Sequence, residues 1–503
     1  MRRRQSRNTG PACRVRSGEM RAFLCLATVL LAGPSLPAAA PPSPHGPVPN
    51  DAQVAWHDLE MYAFVHFTTN TFTGKEWGYG DESPAVFNPT GFDAGQIVGT
   101  LARSGFRGVI VTAKHHDGFC LWPTQTTGHN VSASPWRNGR GDVVREIADA
   151  CRKHRVGFGV YLSPWDRNHP AYGTPGYVEC YRAQLRELLT NYGPVFEVWH
   201  DGANGGDGFY GGKREKRNID RTTYYGWPET WALVRRLQPQ AVIFSDVGPD
   251  VRWVGNERGQ APYPNWATFT PVGPDGGPAA PGHCRTQEGS PDGTRWMPAE
   301  VDVSIRPGWF WHEEENNRVR SPRNLLDLYF ASVGRGSSFL LNVPPDRRGL
   351  IHENDAAALA GFKQLLDGLF AHNLAEGGRA GASATRGAGF EADRVLDADK
   401  STYWAAPDDA RQADLTVELP ESRTFNVLRL REPVRLGQRI RRFAVEVRED
   451  GNWREWAGPG SSIGPQVLVR GPAATADAVR VRILEAAACP CLSELSLWRE
   501  PAP

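Results

Sequence analysis

The chain has 503 residues, 40% of them hydrophobic, and a formal net charge of +1. That is enough for two domains with cores of their own, and it excludes a disordered chain, a fibrous repeat and a small disulfide scaffold. With charges balanced and no basic face interleaved with aromatics beyond the N-terminus, nucleic acid is not an expected partner.

Arg residues, an apolar run from Phe23 to Leu31 and the small residues Ala38-Ala39-Ala40 are the three parts of a secretory signal peptide. The run is too short to span a membrane. Residues 1–40 are therefore expected to be a leader of a secreted or periplasmic protein without a transmembrane segment. Beyond it, Cys120, Cys151, Cys180, Cys284, Cys489 and Cys491 match no zinc spacing, and Cys489-Pro490-Cys491 is too tight for the usual metal pair.

After the Pro-rich stretch Pro41 to Pro49, Ala63 to Phe67 reads as a first strand. Asp93 is an N-cap for a helix carrying Ile97 and Leu101 and stopped by Gly105. Gly108 to Ala113 is the next strand, running into Lys114-His115-His116-Asp117-Gly118. Val144, Ile147, Ala148 and Cys151 fall at i, i+3, i+4 and i+7, which predicts a helix over Asp142 to His154, and Gly157 to Leu162 is again a strand. The alternation continues with a helix through Tyr181, Leu185, Leu188, Leu189 and Tyr192, then the apolar run from Val195 that stops at Asp201-Gly202. Thr230 to Leu237, Ala241 to Phe244, Val301 to Ile305, Leu325 to Val333 and Phe339 to Val343 extend it, interrupted by a Gly/Pro-rich segment, Gly255 to Pro298. Repeated β-then-α units predict an α/β fold, a TIM-like (β/α) barrel over residues 50–372. The alternative, an open doubly wound sheet, lacks a Gly-rich phosphate loop at the start of any helix.

From residue 373 to 500 the period changes to two. Leu415, Val417 and Leu419, then Phe443, Val445 and Val447, then Val479, Val481 and Ile483 alternate without helices between them, which predicts a C-terminal antiparallel β-sandwich. Asp397, Asp399 and Thr402 cluster oxygens that could hold calcium, but a solvated Asp-rich turn is the favoured reading, so no cofactor is expected.

The chemistry is expected where barrel enzymes keep it, at the C-terminal lip of the strands. An Asp-Gly pair after a strand is ordinarily a turn. Asp201 differs in its company, Trp199 and His200 beside it and upstream strand ends that also finish in His or aromatic residues. Adjacent His115 and His116 on an extended chain would point in opposite directions, and with no third ligand evident no metal is expected. Seventeen Trp supply flat faces of the kind that pack on sugar rings, although most Trp fill cores.

Four stretches, Phe64-Val65-His66-Phe67, Lys114-His115-His116-Asp117-Gly118-Phe119, Val198-Trp199-His200-Asp201-Gly202 and Trp253-Val254-Gly255-Asn256-Glu257, resemble in order the motifs of α-L-fucosidases, family twenty-nine of the glycoside hydrolases. The resemblance covers about Trp56 to His372. It implies an exo-acting retaining hydrolase of fucosylated oligosaccharides or glycoconjugates, with Asp201 as nucleophile and Glu257 as acid/base, Glu300 being the rival for the second role. A retaining pair of carboxyl groups stands ~5–5.5 Å apart. The same resemblance assigns His66, Glu76, Trp77, His115, His116, Tyr161 and Trp199 to the fucose pocket, with Trp309 closing it, and around Gly255-Asn256-Glu257 and Ile305 to Trp309 it points to the subgroup acting on α-1,3- and α-1,4-linked fucose. The C-terminal part resembles discoidin-like carbohydrate-binding domains in Asn373-Leu374-Ala375, Ser401 to Trp404 and Gly437 to Ile440. The rival readings are a glycan-binding barrel that has lost the reaction and a retaining glycosidase for another sugar.

Overall fold

Short apolar runs separated by amphipathic helices bury both faces when they form a ring of parallel strands, and the chain does this. The structure is a computed structural model that describes residues 39–501 apart from 222, 246–247 and 272–287. All but the last two residues of the expected leader lie outside the described residues, as does Cys284. Eight strands, β1 (Met61–Val65), β2 (Gly108–Lys114), β3 (Gly157–Leu162), β4 (Glu197–Trp199), β5 (Val242–Ser245), β6 (Val251–Trp253), β7 (Ala299–Ser304) and β8 (Ser338–Asn342), each pair in parallel with the next, and β8 pairs with β1 to close the barrel.

Among the described residues seven helices of nine residues or more accompany it: α1 (Asp51–Leu59), α2 (Ala94–Arg103), α3 (Val143–His154), α4 (Pro175–Asn191), α5 (Trp227–Leu237), α6 (Pro322–Ala331) and α7 (Glu353–Leu369). Asp93 and Asp142 cap α2 and α3 by accepting the amides of Gln96 and Arg145, and the apolar stripes behind those caps are buried. The helix α1 was not expected. Asn50 and Gln53 form a capping box at its start, Gln53 Nε2 donates to the carbonyls of Asp250 and Trp296, and Trp56 packs into the barrel interior.

Two strand assignments are corrected. The first strand ends at Val65, so His66 and Phe67 lie past it, on the lip. Strand β6 was missed because three residues with Arg252 in the middle carry no readable period. Among the described residues no helix separates it from β5, and Phe244 lies opposite Val251. The segment 255–298 is not wholly irregular, since Thr268–Phe269 and Arg295–Trp296 form a small antiparallel pair.

The C-terminal domain is a six-stranded antiparallel sheet with a smaller pair beside it, and every alternating apolar position named above is buried. It is docked firmly: Val427, Leu468 and Trp498 join the barrel's hydrophobic core, and Arg431 reaches Glu60 at 2.7 Å. In the Asp-rich loop, Asp399 accepts both the amide and hydroxyl of Ser401, and Asp397 accepts the Asp399 amide and the Thr402 hydroxyl, so these side chains close a turn. Among the described residues no His, Cys, Asp and Glu cluster is arranged to hold a metal, the five cysteines are free, and no helix is long and apolar enough to cross a membrane.

Just past β7, the Arg306 guanidinium is fully buried against Asp355 of α7, with Nε 3.0 Å from Oδ1. This pair anchors the loop that carries Trp309. Removing one partner leaves an uncompensated charge in a dry interior, so Asp355→Ala is expected to cost ~3–5 kcal/mol. Thermal unfolding should show a lowered midpoint, largely restored in the Arg306→Leu/Asp355→Leu double variant.

Candidate functional site

Strand alternation decides which side chains reach the barrel axis. Along β1, Tyr62 and Phe64 point inward and His66 follows at the lip; along β4, Glu197 and Trp199 point inward with Asp201 two residues on. The intervening His200 faces outward, where its Nδ1 pairs with the Tyr181 hydroxyl at 2.7 Å. A cavity of about 230 Å³ opens at these C-terminal ends, room for a single sugar ring. A larger cavity, about 500 Å³, lies at the opposite ends of the strands against the C-terminal domain. Among its charged residues Asp58 pairs with Lys400, Glu60 with Arg431 and Arg435 with Asp51, while Glu432 accepts the amides of Arg439, Ile440 and Gly464.

Nine of the ten residues singled out in the sequence line the smaller cavity: His66, Trp77, His115, His116, Tyr161, Trp199, Asp201, Glu257 and Trp309. Glu76 does not. Its carboxylate turns away to accept the amides of Trp309 (2.7 Å) and Phe310 and to meet His312 Nε2 at 2.6 Å, so it holds the Trp309 loop in place. Glu300 is also absent from the wall; it is fully buried beneath it, accepting from Trp199 Nε1 at 2.7 Å. Phe64, Trp253 and Asp302 line the cavity without having been singled out. Glu300, Asp302 and Ser304 alternate with Ala299, Val301 and Val303 along β7, and polar residues recurring with period two in a buried strand were the signal available for Asp302.

The expectation for His115 and His116 is overturned. The strand ends at Lys114, the pair lies on the turn that follows, and the two rings stand 4.1 Å apart on the same wall. The rest of that motif is support. Lys114 is buried among Asp166, the Tyr177 hydroxyl and Gln184, while Asp117 accepts from the hydroxyls of Thr68 and Thr69 and the amide of Phe119.

Hydrogen bonding fixes two imidazole tautomers. Asn342 Nδ2 donates to Ser304 Oγ and the Trp309 carbonyl, so its Oδ1 accepts from His66 Nδ1 at 2.8 Å. Ser163 donates to the Trp165 carbonyl and accepts from His116 Nδ1 at 2.7 Å. In both rings Nε2 is left as an acceptor, and in His116 it stands 3.9 Å from Asp201 Oδ2, too far for a direct bond. Burial lowers all three histidines, His66 to about 3, so the imidazoles are neutral and offer hydrogen bonds without charge.

Asp201 is held from two sides, by the Tyr161 hydroxyl on Oδ2 at 2.8 Å and the Ala203 amide on Oδ1 at 2.6 Å. Tyr161 belongs to a stack of rings in register across three strands, with Trp199 5.2 Å away and Phe244 4.1 Å beyond that. Glu257 receives the Trp309 indole N–H at 3.3 Å, and burial, then the charges of Asp201 and Glu76, push its carboxyl above the usual range. Burial pushes Asp302 well up too, with the charges of Glu257 and Glu300 adding, so it sits in the wall as a neutral acid beside the Trp253 indole N–H at 2.9 Å. Trp77 stands over His116 as the most open aromatic of the wall, 53% exposed. The arrangement is therefore an ionisable pair, one member poised to hold a proton, in a wall of neutral hydrogen-bonding groups and aromatic faces.

Residues 46–367 match the family model described as alpha-L-fucosidase, and residues 379–495 match the F5/8 type C domain. The chain is 44% identical to alpha-L-fucosidase 1 of Arabidopsis thaliana over 435 residues, covering 85% of this chain and 83% of that protein. Among solved structures, a glycoside hydrolase 29 family member from an unknown rumen bacterium is 41% identical with a TM-score of 0.81, covering 92% of this chain and 79% of the other. A Ruminococcus gnavus fucosidase solved in complex with fucose is 30% identical with a TM-score of 0.82, covering 92% and 97%.

The turn bearing the two histidines depends on Gly118, whose φ is +76° and whose added Cβ would stand 2.3 Å from Asp166 Oδ1. Gly118→Ala is expected to cost ~1–3 kcal/mol of strain and to displace His115 and His116. Thermal unfolding should show the loss, and substrate KM should rise.

Proposed function

The chain belongs to the α-L-fucosidase family, family 29 of the glycoside hydrolases, and we propose that it releases α-1,3- and α-1,4-linked fucose from branched glycans with retention of configuration. The observation that carries the mechanism is that Asp201 and Glu257 line one cavity in different electrostatic settings. Asp201 accepts two hydrogen bonds suited to an anion, and Glu257 is held where its proton is retained.

In the first step an Asp201 oxygen bonds to the anomeric carbon while the bond to the glycosidic oxygen breaks, and that oxygen takes the Glu257 proton as the leaving sugar departs. The second step reverses the roles: Glu257 takes a proton from water, the water oxygen bonds to the anomeric carbon, and the ester to Asp201 breaks, releasing fucose. The neutral Nε2 atoms of His66 and His116 accept ring hydroxyls, His115 and Tyr161 add to that set, and Trp77, Trp199 and Trp309 offer apolar faces to the C6 methyl. Glu76 acts one step removed, through the Trp309 loop. The Gly/Pro-rich segment 255–298 carries Glu257 near its start and is suited to contact a second branch. Export through the leader-like residues 1–40 would place the enzyme with glycans outside the cytoplasm. Neither rival reading is favoured: both carboxyl groups reach the cavity, and the matching proteins are fucosidases.

Asp201→Ala is expected to lower kcat by about 10³-fold or more for every substrate. Glu257→Ala should lose ~10²–10⁴-fold on natural linkages and far less on activated aryl fucosides, which do not need the proton. Because burial raises the Glu257 pKa, the acid stays protonated above the ordinary carboxyl range, and kcat/KM should fall as pH rises through that raised value. That alkaline limb should vanish in Glu257→Ala; a limb that persists unchanged assigns it to another group.

A second branch held by the enzyme positions the scissile bond, so a branched Lewis-type oligosaccharide should show a higher kcat/KM than the same linkage without its branching galactose. Equal rates, or preference for simple α-1,2-fucosides, would refute the linkage assignment and leave fucosidase activity standing.

A further inference from the structure

Beneath the cavity floor lies a pair of carboxyl groups that the reaction above does not use. Glu197 of β4 and Glu300 of β7 are both fully buried. Glu300 accepts from Trp199 Nε1 at 2.7 Å on one oxygen and from the Tyr62 hydroxyl in a short hydrogen bond on the other. Glu197 accepts from Trp56 Nε1 at 3.0 Å through Oε2, while its Oε1 is buried with no nitrogen or hydroxyl donor to serve it.

Two carboxyl groups in contact in a dry interior cannot both be ionised. The donors decide which is charged. Trp199 and Tyr62 both donate to Glu300 whereas Trp56 alone donates to Glu197, so the donor geometry favours the charge on Glu300 and the proton on Glu197. Burial and then the Glu300 charge push Glu197 well up, while hydrogen bonds from Glu197, Tyr62 and Trp199 offset part of the burial that raises Glu300.

Trp199 forms part of the cavity wall and stacks on Tyr161, whose hydroxyl holds Asp201. Stacking between Tyr161 and Phe244 confines the indole to a slab and leaves it more freedom within that plane, where Phe64 packs against it at 5.0 Å. The bond from its N–H to a charged acceptor removes that freedom. We propose that Glu300 is a positioning residue: its buried carboxylate, kept charged by a neutral Glu197, fixes the Trp199 indole and, through Tyr161, the aim of Asp201. The proposal rests on the reading of Asp201 as the nucleophile.

The two isosteric substitutions separate this from a merely structural role. Glu197→Gln mimics the neutral acid, since its amide still donates to Glu300 and its oxygen still accepts from Trp56, so kcat and KM should stay within about twofold of the parent. Glu300→Gln removes the charge and should lower kcat on the order of 10–100-fold with little change in KM. That loss should be equal for aryl fucosides with good and poor leaving groups. Tyr62→Phe, which removes one donor to Glu300 without touching the cavity, should lower kcat in the same direction and serves if Glu300→Gln does not fold.

The proposal is overturned if Glu197→Gln and Glu300→Gln lose activity equally, or if Glu300→Gln folds with parental kcat. It is overturned likewise if Tyr62→Phe folds and leaves kcat unchanged, or if the Glu300→Gln loss grows with leaving-group pKa, which would make Glu300 the acid. Asp201→Ala run in parallel isolates the underlying reading: turnover in that variant refutes the nucleophile assignment whatever the dyad variants do.

Discussion

A closed barrel leaves its inward side chains nowhere to go except into successive layers along the axis, and that constraint organises the whole molecule. Along β1 the inward series runs Tyr62, Phe64, then His66; along β4 it runs Glu197, Trp199, then Asp201; along β7 it runs Glu300, Asp302, Ser304. The first member of each series is sealed beneath, with Trp56 of α1 closing the N-terminal end. Above it lies an aromatic layer of Phe64, Tyr161, Trp199 and Phe244, of which Phe64, Tyr161 and Trp199 line the cavity together with Asp302, and His66 and Asp201 follow at the lip. The placement of Asp201 is thus inherited from strand register rather than from the loop it sits on.

The same layering sets the electrostatics. Burial removes the charge from His66, His115, His116 and Asp302, so the wall offers hydrogen bonds but little field of its own. In such surroundings a charge developing beside Asp201 and Glu257, as the proposed reaction requires, would be felt strongly by both groups. Loops supply the rest: the Arg306–Asp355 pair and Glu76 fix the segment carrying Trp309, and Arg167 clamps the one carrying Trp77 through its carbonyl and that of Gly78.

Much of this was legible in the sequence where a physical period was long enough to read. The capped helices α2 and α3, the strand Gly157–Leu162, the β-domain's alternation and the position of Asp201 after an apolar run all follow from spacing and burial. Most of the pocket came from a resemblance rather than from spacing, because nothing local marks His66 or Tyr161 as facing a sugar. The misses share a cause. Strand β6 is too short to show a period; His115 and His116 were assigned opposite directions because the strand was assumed to continue through them; and Glu76 was placed on the wall although its carboxylate is spent on the Trp309 loop. The Glu197–Glu300 pair joins residues 103 positions apart and exists only once the barrel is closed.

If Asp201 is the nucleophile, as proposed, it becomes covalently bonded to the anomeric carbon during turnover. Incubating the enzyme with a 2-deoxy-2-fluoro-fucosyl donor, which slows breakdown of a covalent intermediate, and sequencing the labelled peptide by mass spectrometry tests it directly. One fluorofucosyl group on Asp201 is expected; a label on any other residue, or none while the same preparation hydrolyses an aryl α-L-fucoside, would refute Asp201 as the nucleophile.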